Sequence, residues 1–424
     1  MYISDQFAPN EHYRKSFQAL YAFAHDTLQR WKGAPTDSIQ KRLAQRVMEQ
    51  FFRVKVDETW TIPQFFFSGR SALYHTLTAC GLPHGSTVAV QAFTCTAVIT
   101  PILACGLEPL YVDITTDDYS MSIDDLKQKY HSGVTALILQ HSFGIPPRRR
   151  EAIYAFCKAH DIWLIEDGAH GLHPLDLRDD TSQSKHAILL SFGRSKLISS
   201  VFGACVFTPH EALHRDLSQA ISSLPPADPW LVAQCLNYLL FANVVKSGMR
   251  TVPPLGKLFH TVSFALNLFP KEIVPSEKNG IFSPRMDARY PSILAYAALA
   301  DLDAYSVSSS RLSRQTEATY EIVRQLPGVE TAASALLRIP VTFETVTLKD
   351  QFISHCVRHK IELGHWYDAV IAPAGTDLRA VRYTAGSCPT AEYVTSRIVN
   401  IPIRLTANEH QYLMETLTNF CTPQ

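Results

Sequence analysis

Residues 162–196 read IWLIEDGAHGLHPLDLRDDTSQSKHAILLSFGRSK. A short apolar run ends in two acids, Glu166 and Asp167; a polar loop follows, and a second apolar run ends at Ser191, with Lys196 five residues further on. Runs this short, rich in Ile and Leu and bounded by polar segments, read as strands buried on both faces. The same texture extends upstream. QFFF from Gln64, STVAVQA from Ser86, EPLYVDI from Glu108 and VTALILQ from Val134 alternate with helical patterns over Ser71 to Cys80, about Thr96 to Cys105, Ser122 to Tyr130 and Arg148 to His160. Strands separated by helices of about ten residues require crossover connections, so the expected fold class is α/β with a mostly parallel sheet.

The flanks differ. The first 60 residues read as an amphipathic helical segment, with Leu43, Val47, Phe51 and Phe52 on one face before Pro63 breaks the pattern. Beyond Phe207 the alternation stops, and an apolar insertion at about 208–282 follows. From Ser283 a helical pattern runs through Leu294, Ala298, Leu302 and Tyr305. A strand near LLRIPVTF, the helix DQFISHCVRHK and a closing helix near Ala407 to Phe420 complete a smaller α+β unit. The expected division is 1–60, 61–282 and 283–424.

Composition narrows the function. The chain has 424 residues, 46% hydrophobic and 18% charged, which suits a large packed core. Thirty-nine Lys and Arg balance 39 Asp and Glu, leaving no net basic field for nucleic acid. Nine cysteines, an odd number without a C-x-x-C pair, match neither a disulfide framework nor a zinc site, and no metal is expected. The N-terminal residues lack the pattern of a signal peptide, and no stretch has the ~20 clean apolar residues of a spanning helix. A soluble or peripheral cytoplasmic protein is expected.

Open α/β sheets bind ligands at the carboxyl ends of their strands. Lys196 lies just past such an end, where a desolvated amine can form an imine with an aldehyde. Alone, it reads first as a solvated loop lysine. Asp167, 29 positions earlier at another strand end, offers the counter-charge that a protonated pyridine nitrogen needs. Ser68-Gly69-Arg70-Ser71 stands where QFFF turns into a helix whose free N–H groups favour an anion, although Ser68 reads equally as a plain N-cap. Ser191 can add a hydroxyl to the same anion. A ring nitrogen, an aldehyde and a phosphate are the three needs of pyridoxal 5'-phosphate.

The blocks SGRSAL, AFTCTAVITPILACGLEPLYVDI, QHSFG, EDGAH and SFGRSK, with RMDARYPSILAYAALADLD and CPTAEYVTSRIVNIPI further on, resemble the DegT/StrS sugar aminotransferases, a group of fold-type I pyridoxal-phosphate enzymes. The resemblance covers about residues 60–207 and 283–424. It implies a seven-stranded-type, mostly parallel large domain and a homodimer with shared active sites. By the same resemblance Lys196 holds the cofactor covalently and moves the proton, Asp167 keeps the pyridine nitrogen protonated, and Ser191, Gly69, Arg70 and Ser71 bind the phosphate. His170 falls where a glutamine usually meets the ring hydroxyl. Ser283 falls where an asparagine usually reaches the partner's phosphate site.

The implied activity is transfer of an amino group, with L-glutamate as donor and a nucleotide-linked keto sugar as acceptor. The rival readings are a lyase or dehydratase on the same scaffold and a regulator that binds the cofactor without catalysis. Relatives that remove a sugar hydroxyl carry histidine in place of the lysine, so Lys196 opposes the first rival. Several positions depart from the family pattern. Cys95 takes the place of the ring-stacking aromatic, leaving Cys95 or Phe93 for that role, and Arg70 replaces the usual threonine of the phosphate turn.

The insertion carries seventeen uncharged residues between Asp228 and Lys246. It reads first as a helical hairpin buried against the large domain or a second subunit, next as an apolar wall or lid of the substrate pocket. Interfacial membrane contact comes last, because Lys246, Arg250 and Lys257 form only a thin basic rim. His141 reads as a hydrogen-bonded residue near the cofactor edge, and Arg148 to Arg150 as the solvated start of a helix.

Overall fold

A computed structural model describes residues 2–4, 13–31, 38–54, 62–178 and 180–421. Parts of the amphipathic segment expected over 1–60, namely 5–12, 32–37 and 55–60, lie outside these residues. The centre is a seven-stranded sheet built from β1 (Gln64–Phe66), β2 (Thr87–Gln91), β3 (Glu108–Val112), β4 (Val134–Gln140), β5 (Trp163–Asp167), β6 (His186–Ser191) and β7 (Ala204–Phe207). Their order is β1-β7-β6-β5-β4-β2-β3. The pairings β6–β5, β5–β4, β4–β2 and β2–β3 are parallel, whereas β7 is antiparallel to both neighbours. The α/β class and mostly parallel sheet expected from the periodicity are what the molecule has.

Packing explains why alternation is absent from the central strands. Every residue of β5 is buried, as is nearly all of β4, because helices cover both faces. Before the sheet lie α1 (Tyr13–Trp31) and α2 (Ile39–Phe51). The crossovers are α3 (Gly69–Ala79), α4 (Thr96–Ala104), α5 (Ile123–Lys129) and α6 (Arg150–Ala159), each within two residues of its expected bounds. Past the sheet come α7 (Glu211–Ser223) and a helical hairpin, α8 (Pro229–Thr251) and α9 (Pro253–Ala265), turning at Val252 where Pro253 and Pro254 begin the second helix.

The long helix α10 (Ser292–Val323) joins this part to a three-stranded antiparallel sheet of β8 (Val329–Glu330), β9 (Arg338–Phe343) and β10 (Ile398–Pro402). Its helices are α11 (Val346–Arg358), α12 (Pro389–Thr395) and α13 (Ala407–Cys421). One short parallel pairing, Thr94–Cys95 with Ile371–Ala372, brings the C-terminal part against the carboxyl edge of the large sheet. No helix among the described residues is long and apolar enough to cross a membrane.

Candidate active site

The carboxyl ends of β1, β5 and β6 converge on one cavity of about 440 Å³, closed from the other side by Gly364 to Asp368 and Arg338 of the C-terminal part. At the β1 edge, Ser68 adopts an extended conformation and accepts from Ser71 N–H at 3.1 Å, which starts α3. The Ser68 hydroxyl donates to Met286 O at 3.0 Å, so the capping reading of this serine describes it. The N–H groups of Gly69 and Arg70, first in α3, have no carbonyl inside the helix to bond and stand at its positive end. A methyl group on Gly69 would lie 3.7 Å from Ser191 Oγ, which shows how closely the two strand ends approach.

Lys196 sits in a loop held by its own backbone: Phe192 N–H donates to Gly203 O at 2.7 Å, Ser200 N–H to Phe192 O at 2.8 Å, and Arg194 N–H to Val201 O at 3.0 Å. Ser195 takes φ 58°, a conformation uncommon for a serine, immediately before the lysine. Burial is the largest influence on the Lys196 amine and pushes its pKa down, against the opposing pull of Cys95, Asp167 and Glu272. Asp167 is buried too, and burial pushes its carboxyl up, opposed by a 2.9 Å hydrogen bond from Ala169 N–H and by the Lys196 charge. A cation meeting the free side of Asp167 would hold it ionised.

His170 accepts from Phe143 N–H at Nδ1 (3.1 Å), so its proton belongs on Nε2, 2.8 Å from Tyr367 Oη. Burial pushes its pKa well down, which keeps the imidazole neutral, and burial pushes the Tyr367 phenol well up. With Nε2–H donating to the phenol oxygen, the Tyr367 hydroxyl proton is directed elsewhere. The Lys196 amine lies 4.6 Å from the centre of the Trp366 ring, and the Arg338 guanidinium 4.0 Å from it. Asn400 fixes that tryptophan, accepting from its N–H at 2.6 Å and donating to its carbonyl at 2.7 Å.

Of the site residues expected from sequence, Gly69, Arg70, Cys95, Asp167, His170, Ser191 and Lys196 lie on the cavity wall, and Ser71 and Ser283 do not. Ser71 is corrected: one residue further into α3, it is fully buried and its hydroxyl donates to Asp287 at 2.7 Å. Ser283 precedes a short turn over Pro284–Met286 and is buried away from the cavity of its own chain. Arg70 Nε meets Glu277 at 2.8 Å, a second Nη donates to Glu272 O, and Nη1 is buried without a hydrogen-bond partner among the described residues. Cys95 Sγ caps α4 by accepting from Ala97 N–H at 3.5 Å. Phe93, the other stacking candidate, is fully buried, packs edge-on against Tyr367 and is not on the wall.

Sequence reading missed Arg338, Trp366, Tyr367 and Glu272, all on the wall. Two adjacent aromatics after a short strand were the available signal, but nothing local ties them to a lysine about 170 residues away. It also misread Arg150, whose guanidinium is drawn under the sheet onto Glu166, with Nη2 2.7 Å from Oε1. Glu166 further bonds His141 (2.8 Å) and His186 (2.7 Å), and His186 bonds Asp180 (2.9 Å). From the insertion only Glu272 and Ile273 reach the wall, so α8 and α9 do not line the pocket.

Residues 52–222 match the model of the DegT/DnrJ/EryC1/StrS aminotransferase family. Over this segment the chain is similar to that family. Among curated relatives, GDP-perosamine synthase of Vibrio cholerae is 29% identical over 105 residues, 25% of this chain and 28% of that protein. GDP-perosamine synthase of Escherichia coli O157:H7 is 27% identical over 147 residues, 35% of this chain and 40% of the relative. The chain thus spans well under half the length of these two relatives. Among solved structures, NtdA of Bacillus subtilis with bound PMP superposes with a TM-score of 0.69 at 15% identity, covering 97% of this chain and 83% of that one. PseC of Helicobacter pylori, an aminotransferase of pseudaminic acid biosynthesis, gives 0.67 at 14% identity and 98% coverage of both. These likenesses establish the fold-type I architecture.

Proposed function

We propose that this protein is a pyridoxal-phosphate-dependent aminotransferase, acting as a homodimer, that moves an amino group from an amino acid donor, L-glutamate, to a keto sugar linked to a nucleotide. One observation carries the reading: a desolvated amine, a buried carboxylate and a helix N-terminus face a single cavity with room for a small aromatic ring. The residues fit the cofactor. The partnerless Nη1 of Arg70, the first N–H groups of α3 and the Ser191 hydroxyl supply donors for a phosphate. When bound, pyridoxal phosphate supplies an electron sink for the substrate's reacting carbon.

The chain's own residues do the rest. Asp167 places a negative charge where a ring nitrogen must stay protonated. Lys196, held with a lowered pKa, anchors the cofactor and then takes and returns a proton at the substrate carbon, the task of a general base near neutrality. Neutral His170 keeps the Tyr367 hydroxyl proton turned away from itself and available to a ring or substrate oxygen. Arg338 and Lys196 make the wall beside Trp366 cationic, suited to the donor's carboxylate.

Absorbance spectra of the purified protein with added pyridoxal phosphate test the reading. A visible band that glutamate bleaches, and that a keto acceptor restores, is expected. Lys196→Ala should lack the band and lose roughly 10²–10⁴-fold in turnover. Absence of the band in the wild-type protein would overturn the proposal, and a band that an amino acid leaves unchanged would favour a cofactor-binding regulator.

A further inference from the structure

The hairpin α8–α9 and the helix α1 beside it carry an exposed apolar surface that the chemistry at Lys196 does not use. Of 23 large apolar side chains exposed among the described residues, six lie on α1 and eleven between Trp230 and Leu268, which is 17. They follow helical stripes. On α9 and at the residue that caps it, Leu255, Leu258, Phe259, Val262 and Leu266 repeat at steps of three, one, three and four, and Leu258, Phe259 and Leu266 are 56%, 50% and 62% exposed. On α1, Phe17 and Tyr21 are 69% and 74% exposed. The two parts form one surface, since Ser16 Oγ donates to Leu239 O at 2.6 Å and Tyr13 Oη lies 3.3 Å from Ser247 Oγ.

Two further observations identify the occupant. The hairpin is apolar on both sides: Leu231, Tyr238, Leu239 and Val245 of α8 are buried together with Gln234, which donates to Asn267 O at 2.6 Å, while Phe241 and Val244 of the same helix face outward. Its charge has one sign. From Pro229 to Lys271 the only charged residues are Lys246, Arg250, Lys257 and Lys271, and Glu272 is the next acid. On α1 the exposed Arg14 continues this sign, while the one acid, Asp26, is buried against Arg42 and Tyr296. A surface of exposed aromatic and aliphatic residues with basic residues along it is complementary to an anionic bilayer, which takes apolar side chains at headgroup depth and attracts Lys and Arg. A symmetric contact with a second copy would turn this patch, with its basic side chains, on itself.

We propose that α1 and the α8–α9 hairpin dock the enzyme on an anionic membrane surface, lying in the interface without crossing it. Sequence alone ranks this reading last because the basic rim is thin; the outward aromatic residues change the balance. Arg194 ties the hairpin to the loop of Lys196, its guanidinium 5.0 Å from the Tyr238 ring and 5.7 Å from that of Phe264. The surface is therefore in contact, through Arg194, with the loop that carries Lys196.

Co-sedimentation of the full-length, cofactor-loaded protein with vesicles tests this. Binding at least tenfold stronger to phosphatidylglycerol–phosphatidylcholine vesicles than to phosphatidylcholine alone is expected, falling with salt. Leu258→Glu combined with Phe259→Glu should lower binding at least tenfold while leaving the cofactor spectrum and the solution mass unchanged. Lys257→Glu, a milder change, should weaken anionic binding about fivefold. No association of the wild-type protein with anionic vesicles, or equal binding to both kinds, overturns the proposal. A double variant of halved mass in solution also overturns it and gives the face to a second copy.

Discussion

At the scale of single residues, the site is an arrangement of charges held against their ordinary preferences. Asp167 is a carboxylate whose burial disfavours ionisation, and the neighbouring Lys196 is an amine whose burial does the same. The protonated ring nitrogen of a bound cofactor would relieve the first; Asp167→Asn would remove the counter-charge that holds it protonated and should lower turnover about 10²–10³-fold. Single-turnover bleaching with glutamate measures this, and cofactor retention at saturating concentration should persist. Arg338→Gln belongs to substrate recognition. If Arg338 receives the donor's carboxylate, the KM for glutamate should rise about 10- to 100-fold with little change for the keto acceptor. An equal rise for both substrates would assign the arginine to the architecture of the cavity instead.

At the scale of elements, β5 presents two acids to opposite environments. Alternation along the strand sends Asp167 to the cavity and Glu166 to the other face, where Arg150 of α6, His141 and His186 of β6 close around it. The Glu166 carboxylate is held well below the usual range: burial opposes its charge, but the bonds from His141 and His186 and the charges beside them prevail. Glu166→Gln takes the carboxylate from the half-buried Arg150 guanidinium and from His141, and leaves His186 with Asp180 alone. The expected cost is about 3–5 kcal/mol, read as a lower midpoint in chemical denaturation. Turnover per folded molecule should be preserved, since the carboxylate faces away from the cavity. The same cluster locks α6 to the sheet edge from which Asp167 projects.

At the scale of the molecule, the cluster makes stability depend on pH in a defined way. Desolvation opposes the charge on His186, but its bonds to Asp180 and Glu166 push its pKa up to about 9 from an ordinary 6.5. A raised folded-state pKa gives stability that is complete below 6.5 and is lost as pH rises through 9. Glu166 and Asp180 are lowered from 4.5 and 3.8, so their contribution is complete above those values and is lost on further acidification. The cluster's contribution to thermal stability should therefore hold from about pH 5 to 6.5 and decline towards pH 9. His186→Gln should lower stability at pH 6 and remove the decline between 6.5 and 9, measured by Tm across a pH series. An unchanged alkaline slope in that variant would place the titrating group elsewhere.

What the sequence determined by itself was the part written in local pattern. Apolar runs of five to seven residues between helical periods specify a doubly covered sheet, and Ser68, Asp167, Ser191 and Lys196 each mark a strand end, so most of the large domain's share of the cavity wall was legible. Tertiary structure decided what depends on distant approach. Arg338, Trp366 and Tyr367 come to Lys196 only because the C-terminal sheet docks on the carboxyl edge of the first, a contact that no periodicity encodes. Arg150 looked solvated because a charge at a helix start ordinarily is, and only the buried Glu166 opposite reverses this. Ser71 shares a motif with Gly69 and Arg70, yet the turn of the helix carries its hydroxyl to Asp287. The hairpin's apolar composition was visible from the start, but which side of each helix faces water is settled by packing, because α8 is apolar all round and buries Leu231, Tyr238, Leu239 and Val245 while leaving Phe241 and Val244 outside.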